Sequence, residues 1–163
     1  MMRARGVWLI ALFIFGVPAA FADISIAVIV GKNPPKIAFS HTNLSDIFLK
    51  RIQVDDARSA LVPLNLSVTN PIRVAFSLSL LDEQPDDLQR YWTERYFHGI
   101  SPPYTVKSQE SMIRFVMSTA GAVGYIASCR VDNRVHVVAN LPVPKNLQFA
   151  IQQLCAKDDA QTH

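Results

Sequence analysis

Apolar positions along the chain fall into short segments of changing period, and the changes mark the elements. Ile24 to Val30 is a run of β-branched and small apolar residues closing at Gly31, the pattern of a strand buried on both faces. Lys32-Asn33-Pro34-Pro35 follows as a loop, since two prolines exclude both helix and ladder pairing. Leu44, Ile47, Phe48 and Arg51 then recur at helical spacing behind the capping candidates Ser40 and Thr42, which predicts a short amphipathic helix over 40–51. After a solvated turn at Asp55-Asp56, Leu61 to Val68 reads as a second strand, and Pro63 near its start puts it at an edge or on the first rung of a ladder.

The sharpest helix start lies at Thr69-Asn70-Pro71: Asn70 suits the N-cap, Pro71 the first helical position, and Ile72, Ala75, Phe76, Ser79 and Leu80 share a face behind them. Beyond Pro85, Leu88, Tyr91, Trp92, Arg95 and Tyr96 predict a helix with a broad aromatic stripe, which usually means core. Phe97 to Tyr104, containing Gly99, Pro102 and Pro103, reads as a loop. Ser108 caps a further helix running to Thr119, and Gly121 supplies its left-handed stop. Residues 121–126 turn straight into a strand, and Asp132-Asn133 makes a turn into a half-exposed strand over Arg134 to Ala139. After a break at Pro142 to Pro144, Leu147, Ala150, Ile151 and Leu154 mark a last amphipathic helix ending near Cys155. Strands separated by helical stretches predict a three-layer α/β domain with a mixed or mainly parallel sheet.

Composition changes this picture at one end. The 163 residues are 50% apolar and 18% charged, which excludes a disordered chain. Residues 1–22 combine Arg3 and Arg5, an uncharged run from Gly6 to Pro18 and the small-residue site Ala20-Phe21-Ala22, the three parts of a secretory signal cleaved after Ala22. An uncleaved N-terminal anchor is the alternative, although the run falls short of the ~20 residues of a bilayer span. The expected organisation is therefore a signal peptide over 1–22, one domain over 23–157 and a polar, flexible tail over 158–163. Removing Arg3 and Arg5 lowers the basic count from 16 to 14 against 13 acidic residues, and the formal charge from +3 to +1. That leaves little argument for a nucleic-acid or anionic-membrane partner. Cys129 and Cys155 are the only cysteines; in an exported chain they read most simply as one disulfide, with two buried thiols as the alternative. With four scattered histidines they form no metal-ligand spacing.

Candidate chemistry is sparse. The chain has no nucleophile elbow, no multi-glycine phosphate loop, no zinc-binding helix pair and no dinucleotide fingerprint, so binding is the better class than catalysis and no cofactor is implied. The helix start at Asn70 makes an anion site available through its exposed N–H groups. Arg73 sits in that first turn, where a cation opposes the helix dipole, so a negative partner explains it better than helix stability; pairing with a surface carboxylate is the other reading. Thr69, Lys32, Asn33 and Ser40 complete the ligand candidates, the loop residues because open α/β sheets bind ligands beyond the carboxyl ends of their strands.

Several stretches, taken in order, resemble the phosphate-type periplasmic substrate-binding proteins of ABC transporters. They are residues 44–49, Val62-Pro63-Leu64-Asn65, Ile72-Arg73 with Phe76, Tyr91-Trp92 with Phe97-His98-Gly99, and residues 121–126. The similarity runs over about Ile24 to Asn140 and is greatest to small single-lobe relatives, whose arginine Arg73 matches. The resemblance implies one lobe of the type 2 periplasmic-binding-protein-like fold, exported to the periplasm. It also implies weak binding of phosphate or a related oxyanion. Full-size members carry Ser-Gly-Thr where this chain has Asn70-Pro71-Ile72, and Gly-Trp where it has Lys50-Arg51. Those departures keep open a second role, an interaction partner of a membrane transporter or sensor that has the fold without the ligand. A homodimer that rebuilds a two-lobed cleft lies between the two.

Overall fold

The computed structural model describes residues 24–160; the expected signal over 1–22 and residues 161–163 of the expected tail lie outside the described residues. Strand β1 (Ser25–Val30) is buried over five of its six positions, as its unbroken apolar run requires. Helix α1 (His41–Phe48) starts where expected, with Ser40 accepting from Asn43 N–H, but ends well before Arg51. Lys50 takes a left-handed backbone (φ 52°) that turns the chain out of the helix. Strand β2 covers only Val62–Asn65, and helix α2 runs Pro71–Leu81 behind the Asn70 cap. Then come α3 (Gln89–Phe97), the two-residue strand β3 (Tyr104–Thr105), α4 (Gln109–Ser118), β4 (Ala122–Ala127), a 3-10 turn (Ser128–Arg130), β5 (His136–Pro142) and α5 (Lys145–Ala160).

The strands form one mixed sheet in the order β3-β2-β4-β1-β5. β2 runs parallel to β3 and β4, whereas β1 is antiparallel to both of its neighbours, β4 and β5. The carboxyl ends of β2, β3 and β4 therefore share one edge, and that of β1 lies at the opposite edge. Pro63 sits inside the sheet rather than at its margin. Val62 N–H goes to Gly121 O, and because successive N–H groups alternate between flanks, the donor that Pro63 lacks would face β3, which pairs only from Leu64 onward. The expected loop over 97–104 thus hides the first residue of a short edge strand. β5 begins two residues later than its pattern suggested and includes Pro142, and α5 continues past Cys155 to Ala160.

Helices cover both faces. Tyr125 of β4 points toward α1 and α2, where its ring stacks on Phe76 at 3.7 Å between centroids and meets Phe48 at 5.8 Å. Gly124 points the other way, under α4: a Cβ there would lie 2.5 Å from Met112 Sδ, so a larger residue would require the Met112 side chain to move aside. Gly121 has the expected left-handed backbone (φ +74°), and a Cβ on it would fall 1.9 Å from Ala60 O. The aromatic stripe of α3 divides because that helix packs on the end of α1 rather than on the sheet. Trp92 and Leu88 bury against Leu49, while Tyr96 is 66% and Phe97 83% exposed. Cys129 and Cys155 are joined as a disulfide across 6.1 Å between Cα atoms, tying the turn after β4 to α5.

Candidate functional site

Where β2 ends, the chain crosses Ser67, Val68 and Thr69 and enters α2. Asn70 closes that entry by accepting from Ile72 N–H at 2.9 Å, and Val74 N–H goes to Asn70 O. The helix face fixed in this way buries Ile72, Phe76 and Leu80 and carries Arg73 inward with them, to 5% exposure.

Below Arg73 lies a small polar network. Arg73 Nη1 donates to Asn65 Oδ1, and Tyr125 Oη donates to the same oxygen at 3.2 Å while accepting from Leu66 N–H at 3.1 Å. Burial pushes the Tyr125 phenol up from its ordinary pKa, so the hydroxyl stays a neutral donor. Asn65 Oδ1 is thus an anchor for the guanidinium, which also acts on the neighbouring Tyr125 hydroxyl. Arg73 Nε has no hydrogen-bond partner, and no carboxylate among the described residues pairs with Arg73. A buried cation held only by neutral groups is costly, since its desolvation is not offset by a counter-charge. Arg73 lines a cleft of about 210 Å³ at the carboxyl edge of β2 and β3, together with Asn65, Gln89, Trp92, Pro102 and Thr105.

The other expected ligand residues are elsewhere or occupied. Lys32 and Asn33 line a separate cleft of about 480 Å³ at the opposite edge of the sheet, because β1 runs against β2 and β4. The arginine of that cleft, Arg134, is already neutralised: it donates to Glu110 Oε2 at 2.8 Å and to Asp132 Oδ2 at 2.7 Å. Arg134 first and Arg114 second hold the Glu110 carboxyl at about 2, far below the usual carboxylate range. Ser40 is the cap of α1, whose first residue His41 reaches Ser79 O near the far end of α2. Thr69 is exposed and its hydroxyl lies 3.3 Å from that of Ser67. Of the six, the structure puts only Arg73 in the cleft, with Thr69 and Asn70 beside it in the chain and their side chains engaged locally.

Asn65, Tyr125 and Gln89 were not among the expected site residues. A polar Asn65 at the end of an apolar strand and a lone tyrosine among small residues in 122–127 are the signals that could have raised them. Among the described residues no three of His, Cys, Asp and Glu stand together as a metal site, and no helix is long and apolar enough to cross a membrane.

No family model matches the chain, and no curated protein matches it in sequence. Solved structures do match it in fold. One, from Clostridium perfringens, is described as a phosphate ABC transporter substrate-binding protein and was solved with bound phosphate; it aligns with a TM-score of 0.57 and 15% identity over 82% of this chain. An ABC-type phosphate transport receptor from Vibrio cholerae gives the same TM-score, identity and coverage. A PstS protein from Borrelia burgdorferi aligns with a TM-score of 0.52 and 15% identity over 76% of this chain. The match spans 62%, 63% and 49% of those three chains, less than two thirds of each. The mixed α/β sheet and its helices are thus the fold of the phosphate-type substrate-binding proteins, on a shorter chain.

Proposed function

We propose that this chain, which shares its fold with substrate-binding proteins of phosphate ABC transporters, is itself an exported periplasmic binding protein that holds phosphate or a related oxyanion at Arg73. One observation carries the reading: Arg73 at 5% exposure, in the first turn of α2, with Nε unpartnered and no carboxylate paired with it among the described residues. An oxyanion in the adjoining cleft would supply the missing counter-charge in the planar geometry that the arginine fork favours. The α2 dipole adds to the same attraction. Binding of this kind is capture and release.

The site is expected to be weak. Pro71 has no N–H, Ile72 N–H is engaged by Asn70 Oδ1 and Val74 N–H by Asn70 O, so the first turn offers the anion few backbone donors. Export through the signal over 1–22 completes the reading. Titration calorimetry with inorganic phosphate at millimolar concentration tests it: saturable heat is expected in the wild type and none in Arg73→Ala. Absence of heat in the wild type counts against the site.

A second reading is an interaction partner of a membrane transporter or sensor that has kept the lobe without the ligand. It is favoured by the dispersal of the expected ligand residues, of which Arg73 alone lines the cleft. A stable periplasmic partner whose capture is insensitive to Arg73→Ala would select it.

A further inference from the structure

The Arg73 cleft does not end at the anion position. A second cleft of about 290 Å³ opens beside it, and the two share Gln89, Trp92 and Pro102 as a common wall. The floor of the first is charged. The sides of the second are aromatic and apolar, with Trp92, Tyr96, Phe97 and Pro102 around the methyl-bearing Thr93. Tyr96 and Phe97 stand 66% and 83% exposed on α3, large apolar side chains held against water beside a buried cation that has no counter-ion among the described residues.

We infer that the two clefts form one site for a phosphate monoester carrying a planar apolar group, the oxyanion at Arg73 and the ring between Trp92, Tyr96 and Phe97. The inference rests on the anion reading above and specifies its ligand class. Size allows it: a cavity of about 150 Å³ already accommodates benzene, and the second cleft is larger. Donor supply favours it as well. A free phosphate dianion is strongly hydrated and needs many donors, whereas Arg73 and the side-chain amides of Asn65 and Gln89 are the charged or amide donors lining the first cleft. An ester has one oxygen committed to its substituent and turns that side toward the second cleft, where burial of an apolar ring against aromatic faces adds what the polar contacts lack.

Calorimetric titration of the protein with three probes tests this: inorganic phosphate, phenyl phosphate and phenol. Phenyl phosphate is expected to bind about tenfold or more tightly than phosphate, with phenol giving no saturable heat. In Tyr96→Ala/Phe97→Ala, at two exposed positions where folding is not at stake, the ratio of the two affinities should fall toward one. Arg73→Ala should lose phenyl phosphate altogether. Equal affinities for phosphate and phenyl phosphate in the wild type would overturn the inference while leaving the anion site standing. So would a preference that survives the double substitution, or phenol binding as tightly as its phosphate ester. Heat from neither phosphate nor its ester would remove the anion site itself.

Discussion

Replacing Arg73 by methionine is expected to make the ligand-free protein more stable. Arg73 is 5% exposed, and its guanidinium donates to the neutral acceptor Asn65 Oδ1. Its desolvation costs several kcal/mol, and a charge-assisted bond to a neutral amide returns only about 1.5–3 kcal/mol. Methionine fills most of the volume of the arginine stem with no charge to desolvate. Asn65 Oδ1 keeps its bond from Tyr125 Oη at 3.2 Å, so the substitution strands no buried acceptor. The net gain should be about 1–2 kcal/mol, a rise in melting temperature of roughly 4–8 °C for a domain of this size. Urea and thermal unfolding in phosphate-free buffer measure it. Adding phosphate at about 100 times its dissociation constant should then stabilise the wild type by roughly 2.7 kcal/mol and the variant not at all, so the order of the two melting temperatures reverses. If Arg73→Met loses 2 kcal/mol or more in phosphate-free buffer and the wild type ignores phosphate, Arg73 is a structural residue and the reasoning fails.

Tyr125→Phe removes the hydroxyl that satisfies Leu66 N–H and shares Asn65 Oδ1, so it should destabilise by about 1–3 kcal/mol in urea unfolding with the m-value unchanged. Separating Cys129 from Cys155, 26 residues apart, by paired alanine substitution should cost about 3–4 kcal/mol on the loop-entropy account, read as a lowered urea midpoint. The depressed Glu110 carboxyl favours the folded state wherever it is ionised in both states. Its contribution is complete above the ordinary value of 4.5 and is lost as pH falls from there toward about 2. Stability measured across that window should fall less steeply in Glu110→Gln than in the wild type; identical slopes would show that the Arg134 and Arg114 contacts contribute nothing.

Local chemistry was readable in the sequence wherever a few neighbouring residues decide the outcome. Asn70-Pro71 could start a helix and do little else, and Ser40 and Ser108 cap as expected; Gly121 has a positive φ, but α4 already ends at Ser118 with Thr119 extended, so the glycine turns the chain into β4 rather than stopping the helix. Arg73 was legible for a related reason, since its charge is wrong for that end of a helix. What could not be read locally was strand direction. Lys32 and Asn33 follow the carboxyl end of a strand, but whether that end joins those of β2 and β4 depends on pairing with residues about a hundred positions away, and β1 runs the other way. The network under Arg73 was hidden likewise, because Asn65 and Tyr125 meet only through the register of β2 on β4. β3 carries almost no local signal, having two residues and one partner strand. The stripe on α3 has helical period whatever it packs against, and a helix seated on the end of α1 leaves half of it in water.

The position of β1 also sets an order of events. It is the first strand in the chain and sits between two of the last, pairing only with residues between Val123 and Pro142. Its six mostly apolar residues have no partner in the sheet until β4 and β5 have been made. Folding that waits on such distant contacts is slow compared with folding through helical neighbours. A chain delivered from its N-terminus, as from the ribosome, therefore leaves β1 unpaired until the residues up to Pro142 have emerged.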